Sequence, residues 1–354
     1  MDKVNILMCC SKLSVKGGMV SVVRNYLGYK DWDKYNIIYI PTHTEKNKFV
    51  VMMYFVVSYV QIFLLALFGN IKIAHLHTAE RGSFFRKAIL VRTLRKFGIR
   101  TIMHHHAAEF EQFYSGLNKK KKEYVVKTLE MADLNIVLSK GLISMITDKA
   151  PMARIEVLYN AVPVYEKNPY NSNAKNILFL GRLGRRKGTY DLLSAISIID
   201  KDLPEETKFY LCGDGEINEI RNEVKRLKIQ HRVVHIGWIR EEQKKEFLMN
   251  SCVNVLPSYN EGLPMSILET MAYGIPSITT NIGSIPEVVE DNVNGYLIEP
   301  GDINALADRI KDLVINKIKR DNFGQSSYNL IMNNFSLSMH ITNLKGIYNN
   351  LVNR

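Results

Sequence analysis

The chain has 354 residues, 46% of them hydrophobic, enough to fill the cores of two ordinary domains. Its net charge is +12, and the excess is one-sided: residues 1–165 hold 24 Lys and Arg against 12 Asp and Glu, while residues 166–354 hold 23 of each. That asymmetry points to an anionic partner met by one domain, and the absence of any recognition motif, zinc pattern or aromatic platform excludes nucleic acid as that partner. Cys9, Cys10, Cys212 and Cys252 lie in or beside apolar runs without framework or metal spacing, so buried thiols and a cytosolic, reducing location are expected. No cleavable signal is expected, because the chain opens directly on an apolar strand.

Short apolar runs alternate with longer amphipathic segments, the pattern of βαβ units on parallel sheets. Strands are expected near residues 4–10, 36–41, 71–76, 100–105 and 134–138, then near 176–181, 207–212, 232–236, 252–256 and 276–279. After the first strand, Lys16-Gly17-Gly18-Met19 opens a helix; glycine lets backbone N–H groups approach a phosphate, although a tight βα turn needs glycine anyway. The polar stretch 163–175 is the linker candidate, and the tail from about 319 to 352 reads as helices.

Residues 49–68 contain only Ser58 and Gln61 as clearly polar positions, a length able to span a bilayer. Because the segment joins two strands of one sheet, it is read as a crossover helix, either fully buried or with one face on lipid. The next helix interleaves Arg86, Lys87, Arg92, Arg95 and Lys96 with aromatic and aliphatic residues, the pattern of a helix lying in a membrane interface. With the run Lys119–Lys122, it makes peripheral association with an anionic membrane the expectation.

His75, His77, His104, His105 and His106 fall at strand ends. Clustered histidines invite a metal hypothesis, but no cysteine and only Glu109 stand at ligand spacing, so no metal is expected. Asp31-Trp32-Asp33 and Asp200-Lys201-Asp202 are read as solvated turns rather than divalent-metal motifs.

Gly181-Arg182-Leu183-Gly184-Arg185-Arg186-Lys187-Gly188 ends the first strand of the second half. Fixed cations at a strand end suit a departing diphosphate. Further on, Tyr259-Asn260-Glu261-Gly262-Leu263-Pro264-Met265-Ser266-Ile267-Leu268-Glu269 places one carboxylate in a loop and a second on the following helix, with Pro at the helix start. On spacing alone, two solvated glutamates around a tight turn fit as well.

The Glu-x7-Glu spacing within Asn-Glu-Gly-Leu-Pro-Met resembles the signature of retaining GT-B glycosyltransferases of family four. Ala272-Tyr273-Gly274-Ile275-Pro276, Gly283-Ser284-Ile285-Pro286-Glu287 and Asn294-Gly295-Tyr296 continue the pattern, and His106-Ala107-Ala108-Glu109-Phe110 is similar to the family's His-Gly-Ala-Glu-Phe segment, with Ala107 in place of Gly. The resemblance implies an α/β GT-B fold: two Rossmann-like domains facing a central cleft, residues 1–165 on the acceptor and membrane side, 166–335 for the nucleotide sugar, and 336–354 as a helix returning to the first domain. It implies that Arg182 and Lys187 bind the diphosphate, Glu261 faces the sugar hydroxyls, Glu269 binds the ribose, and His106 contacts the donor sugar, with His105 as the alternative. Gly17, Gly18, Gly213, Ile239, Gly262, Leu263, Met265 and Ser266 complete the donor contacts.

The implied reaction is metal-independent and retaining. A hexose or N-acetylhexosamine passes from a nucleotide sugar, UDP-linked by family weight, to a saccharide acceptor, expected to be lipid-linked, in bacterial surface polysaccharide or capsule synthesis. No cofactor is expected. The expected location is cytoplasmic, peripheral on the inner face of the cell membrane. Two alternatives stand beside this: another GT-B sugar-nucleotide enzyme such as a phosphorylase or epimerase, and a non-catalytic membrane-associated partner.

Overall fold

The computed structural model describes residues 3–106 and 109–353. The chain divides into two compact units, Met1–Asn160 with Ser338–Arg354, and Ala161–Leu337. Each is built on a six-stranded parallel sheet, as the alternation of apolar runs predicts.

The first unit runs β1 (Val4–Cys10), α1 (Gly18–Gly28), β2 (Tyr35–Pro41), α2 (Lys48–Phe68), β3 (Ile71–Thr78), α3 (Gly82–Lys96), β4 (Arg100–His105), α4 (Phe110–Ser115), α5 (Lys119–Met131), β5 (Leu134–Val137), α6 (Ile143–Thr147) and β6 (Ile155–Val157). Its sheet order is β2-β1-β3-β4-β5-β6. The chain moves outward from β1 in both directions, so the switch point of the topology lies between β1 and β3, where ligands of open α/β sheets collect. The sixth strand escapes the sequence reading because it is three residues long, carries Glu156 at its centre and is nowhere fully buried.

The second unit runs β7 (Asn176–Leu180), α7 (Thr189–Ile199), β8 (Lys208–Cys212), α8 (Ile217–Arg226), β9 (Val233–Gly237), α9 (Glu241–Met249), β10 (Ser251–Leu256), α10 (Met265–Ala272), β11 (Ser277–Thr280), β12 (Gly295–Ile298), α11 (Ile303–Ile315) and α12 (Lys317–Asn334). Its order is β12-β11-β10-β7-β8-β9, with the switch point between β7 and β10. The stretch 163–175 is packed rather than free. Tyr170 lies beside Arg320 of α12 (3.2 Å), Asn168 bonds Gln325 (3.0 Å), and Gly274 leaves no room for a side chain next to Asn168.

The last helix, α13 (Leu337–Val352), belongs for nearly all its length to the first unit. His340, Ile341, Leu344, Ile347, Tyr348 and Leu351 recur at helical spacing and are buried. Tyr348 Oη hydrogen-bonds His75 Nδ1 of β3 (2.7 Å), and Lys345 pairs with Asp33 (2.8 Å). The Asp31–Asp33 turn is thus tied to α13, while Asp200 pairs with Arg232 (2.7 Å) and Asp202 with Lys311 (2.7 Å). These aspartates are framework ion pairs.

Two elements change the membrane reading. In α2 only Ser58 and Ile62 are buried, and Ser58 Oγ donates to the Pro41 carbonyl (2.7 Å). The helix therefore turns its one small hydroxyl toward the sheet and its apolar side chains outward, with Phe49 67%, Val57 57% and Phe68 78% exposed. In α3 the expected interfacial face does not exist. Lys87 is fully buried, and Arg92 reaches inward to the Ala88 carbonyl, Thr128 and the face of Tyr124. Arg86 is half-buried, Arg95 pairs with Asp133 (2.8 Å), and Lys96 stands exposed with no ion pair among the described residues. The alternating charge and aromatics of α3 reflect a crossover helix packed between sheet and α5, not a lipid-facing one.

Replacing Tyr348 by Phe would strand the His75 nitrogen in the core. The expected loss is about 1–3 kcal/mol, read from urea unfolding of wild type and variant.

Candidate functional site

At the switch point of the second unit, the loop after β7 meets the loop after β10. Gly188 adopts φ +68°, and a Cβ there would stand 2.0 Å from the Pro257 carbonyl, so the two loops touch backbone to backbone. Tyr259 N donates to the Arg186 carbonyl (2.9 Å) alongside. The β10 loop is held from beneath, where Thr279 and Thr280 hydroxyls donate to the Leu256 and Ser258 carbonyls (2.8 and 2.6 Å). Gly283, at φ +54°, lies against the Glu261 carbonyl where a Cβ would be 2.1 Å away.

This framework brings Lys187 Nζ onto Glu261 Oε1 as a short, charge-assisted hydrogen bond between side chains only 13% and 7% exposed. Ser258 Oγ donates to the same Glu261 oxygen (2.8 Å). Arg182 is exposed beside this pair's loop, with no protein partner among the described residues. Helix α10 then starts at Met265 after Pro264, and no side chain caps it. Its first amides are therefore available to an anion. Gly262, Leu263 and Met265 are buried and Ser266 is half-buried, so the segment presents backbone more than side chain.

Glu269 lies one turn further along α10, bonded to Lys244 of α9 (3.1 Å), which also pairs with Glu241 (2.9 Å). Burial raises the Glu269 carboxyl above the ordinary glutamate value, and Lys244 opposes that rise. Gly213 and Ile239 both stand in packed surroundings. A Cβ on Gly213 would meet the Gly181 carbonyl at 1.8 Å, and Ile239 packs in a small core cluster with Leu178, Leu180 and Leu248.

In the first unit, α1 begins at Gly18 after Gly17, whose φ of +139° requires glycine, and again no side chain caps the helix. The histidines of β3 and β4 form a buried network: His75 Nε2 with His104 Nδ1 (3.0 Å), and His77 Nδ1 with His106 Nε2 (2.9 Å). Ring nitrogens of His75, His77 and His104 lie within 4.8 Å of one another. Burial pushes His75 and His106 down to about 3 and His105 down to about 4, so all three are neutral at pH 7. Strand alternation separates the neighbours: His105 points to the opposite face, where Asn135 holds it (3.0 Å), while His106 is half-buried at the strand end. Ala107, at the family's glycine position, lies outside the described residues.

Sequence reasoning passed over Ser258 and Lys244. Ser258 stands three residues before Glu261 and was within reach of a local reading. Lys244 is 25 residues from Glu269, and nothing in its helix marks it out.

Residues 164–330 match the family described as Glycosyl transferases group 1. An uncharacterised 41.2 kDa protein of the Klebsiella pneumoniae cps region is 24% identical over 319 residues, 83% of this chain and 86% of that protein. The Escherichia coli UDP-Gal:alpha-D-GlcNAc-diphosphoundecaprenol alpha-1,3-galactosyltransferase is 28% identical over 244 residues, 67% of this chain and 59% of that enzyme. Among solved structures, Anabaena HepE in complex with UDP-glucose aligns over 98% of this chain and 99% of its own, with a TM-score of 0.77 at 16% identity.

Lys187→Ala is expected to lower kcat by about 10²–10³, as loss of one preorganised transition-state donor does. Glu269→Ala is expected to weaken donor binding about tenfold, or ~1.4 kcal/mol. Because the Glu269 carboxyl is raised, wild-type donor affinity should also fall as the pH is lowered through its titration, and the Ala variant should lose that dependence; calorimetric titration with a nucleotide sugar across pH checks both.

Proposed function

We propose that this chain, whose residues 164–330 match the Glycosyl transferases group 1 family, transfers a hexose or N-acetylhexosamine from a UDP-sugar to a lipid-linked saccharide, with retention at the anomeric carbon. The observation that carries this is the Lys187–Glu261 pair at the β7/β10 switch point, one turn before an uncapped helix start. In the free protein the two charges satisfy each other. A donor supplies a partner for each: its diphosphate to Lys187, Arg182 and the first amides of α10, and its sugar hydroxyls to Glu261. Glu269 accepts the ribose hydroxyls.

The acceptor hydroxyl attacks the anomeric carbon as the bond to the diphosphate oxygen breaks. Negative charge grows on the departing phosphate, where Lys187, Arg182 and the helix amides already stand, so little reorganisation is required. The departing phosphate oxygen takes the acceptor's proton, which gives front-face transfer and retention. Fixed cations take the role a divalent ion would otherwise have, and the reaction proceeds without metal.

UDP and a lipid-diphosphate acceptor are favoured because a relative and a structural neighbour carry them in their descriptions, and a place in surface polysaccharide synthesis because another relative comes from a capsule region. Peripheral membrane association is assigned to α2 in place of α3. Its 21 residues are long and apolar enough to cross a membrane, yet β2 and β3, which it connects, lie in one sheet, so the helix rests in the lipid surface with Lys46, Lys48 and Lys96 exposed around it.

A panel of nucleotide sugars with EDTA present and a lipid-linked saccharide extract as acceptor tests the reaction. One UDP-sugar should be turned over with the anomeric configuration kept; turnover of none by a folded protein, or only with added metal, would contradict it. For the membrane, wild type should float with anionic vesicles, and Val57→Asp with Val60→Asp should remain at the bottom of the gradient.

A further inference from the structure

The first unit buries positive charge that no carboxylate neutralises among the described residues. Lys87 is fully buried, and among the described residues its ammonium group donates one hydrogen bond, to the Thr42 hydroxyl (2.7 Å). Arg86 precedes it, with its Nε buried and unpartnered. His43 follows Thr42, and its Nδ1 is likewise buried without a partner. No ion pair to a carboxylate is made by Lys87 or Arg86 among the described residues. A buried cation is ordinarily paired, because leaving one unpaired costs several kcal/mol.

The placement compounds the problem. Arg86 and Lys87 sit in the second turn of α3, whose N-terminus has no side-chain cap. That end of a helix carries partial positive charge and favours anions, so cations there have the wrong sign for the fold alone. The helix start follows β3 at the switch point with β1, and Thr42 is fastened to the end of β1 through its amide and hydroxyl on the Cys10 carbonyl (2.7 and 3.0 Å). Lys12, leading into the glycine loop, bonds the His43 carbonyl (2.7 Å). Five residues beyond His43 the outward-facing apolar helix α2 begins.

We propose that Arg86, Lys87, His43 and the start of α3 form an anion site for the phosphate or diphosphate of an amphiphilic acceptor whose apolar tail lies along α2. The assignment rests on the glycosyl-transfer reading above and places the acceptor's anionic group in the first unit, separate from the donor diphosphate at Lys187. Burial, with Arg86 adding to it, pushes the Lys87 ammonium down to about 8, while the Cys10 and Cys9 thiols oppose the shift. It remains a cation at pH 7, and a bound anion would hold its proton to higher pH.

The test uses the full chain saturated with UDP, so that the Lys187 site is filled, titrated separately with farnesyl diphosphate and with inorganic pyrophosphate. UDP affinity, measured first, reports on the glycosyl-transfer reading by itself: no UDP binding by folded protein overturns that reading. With UDP bound, farnesyl diphosphate should bind, pyrophosphate at least tenfold more weakly, and both should weaken at least tenfold in Arg86→Gln. His43→Gln, which leaves the buried lysine in place, should weaken both as well, and supports the site if Arg86→Gln fails to fold. Equal affinity for the two probes overturns the amphiphile in favour of a free-phosphate site. No binding, or binding indifferent to both substitutions, overturns the site itself.

Discussion

The Lys187–Glu261 pair is the interaction around which the candidate site of the second unit is arranged. It joins side chains from loops after β7 and β10, strands that are neighbours in the sheet but separated by two βα units in sequence. Both groups are largely buried, so neither could stand alone without a large desolvation cost. A pair of this kind contributes little net stability compared with apolar residues. What it does is keep a cation and a carboxylate desolvated, close together and fixed in place. The backbone enforces that placement, because Gly188 and Gly283 permit approaches of carbonyl groups that any side chain would prevent. The two loops are therefore closely packed against each other, and on the proposed reading a donor exchanges one partner for another at each charge.

The first unit uses burial in a different way. Its histidines are held neutral by desolvation, interlocked by ring-to-ring hydrogen bonds and closed over by Tyr348 from α13. The C-terminal helix completes that core, so the last residues of the chain support the sheet made by the first. Against this neutral background Arg86 and Lys87, with His43 beside them held neutral by burial, stand apart as cations with no carboxylate partner among the described residues. The same unit turns an apolar helix outward. The proposed phosphate-headed, apolar-tailed ligand would bring a counter-charge to these cations and cover to that helix.

Much of this was legible in the sequence because parallel strands buried on both faces are written as continuous apolar runs. Ten of the twelve strands are recognisable that way. The two that escape, β6 and β12, are short edge strands, one centred on a glutamate and the other opening on glycine. The candidate residues Arg182, Lys187, Glu261 and Glu269 stand in short local motifs whose roles came from a family resemblance, since spacing alone fits solvated side chains as well. Their mutual pairing could not be read from the sequence, since it depends on sheet order. The error over α3 has the same origin. Interleaved basic and aromatic residues look alike whether the cations face lipid or fold inward onto Thr42, Thr128 and Tyr124, and only packing separates the cases. In α2 the periodicity gave no face at all, and the lone serine proved to mark the inward side.

The claim that Lys187 and Glu261 exchange partners when the donor arrives is tested most directly by titrating Glu261→Gln with UDP and with the UDP-sugar that wild type uses. Removing the carboxylate charge frees Lys187, so the account predicts tighter binding of UDP alone. It also predicts that the variant loses the additional affinity that the sugar confers on wild type. Equal weakening of both ligands, or no change in either, would contradict the exchange and reduce the pair to a structural tie.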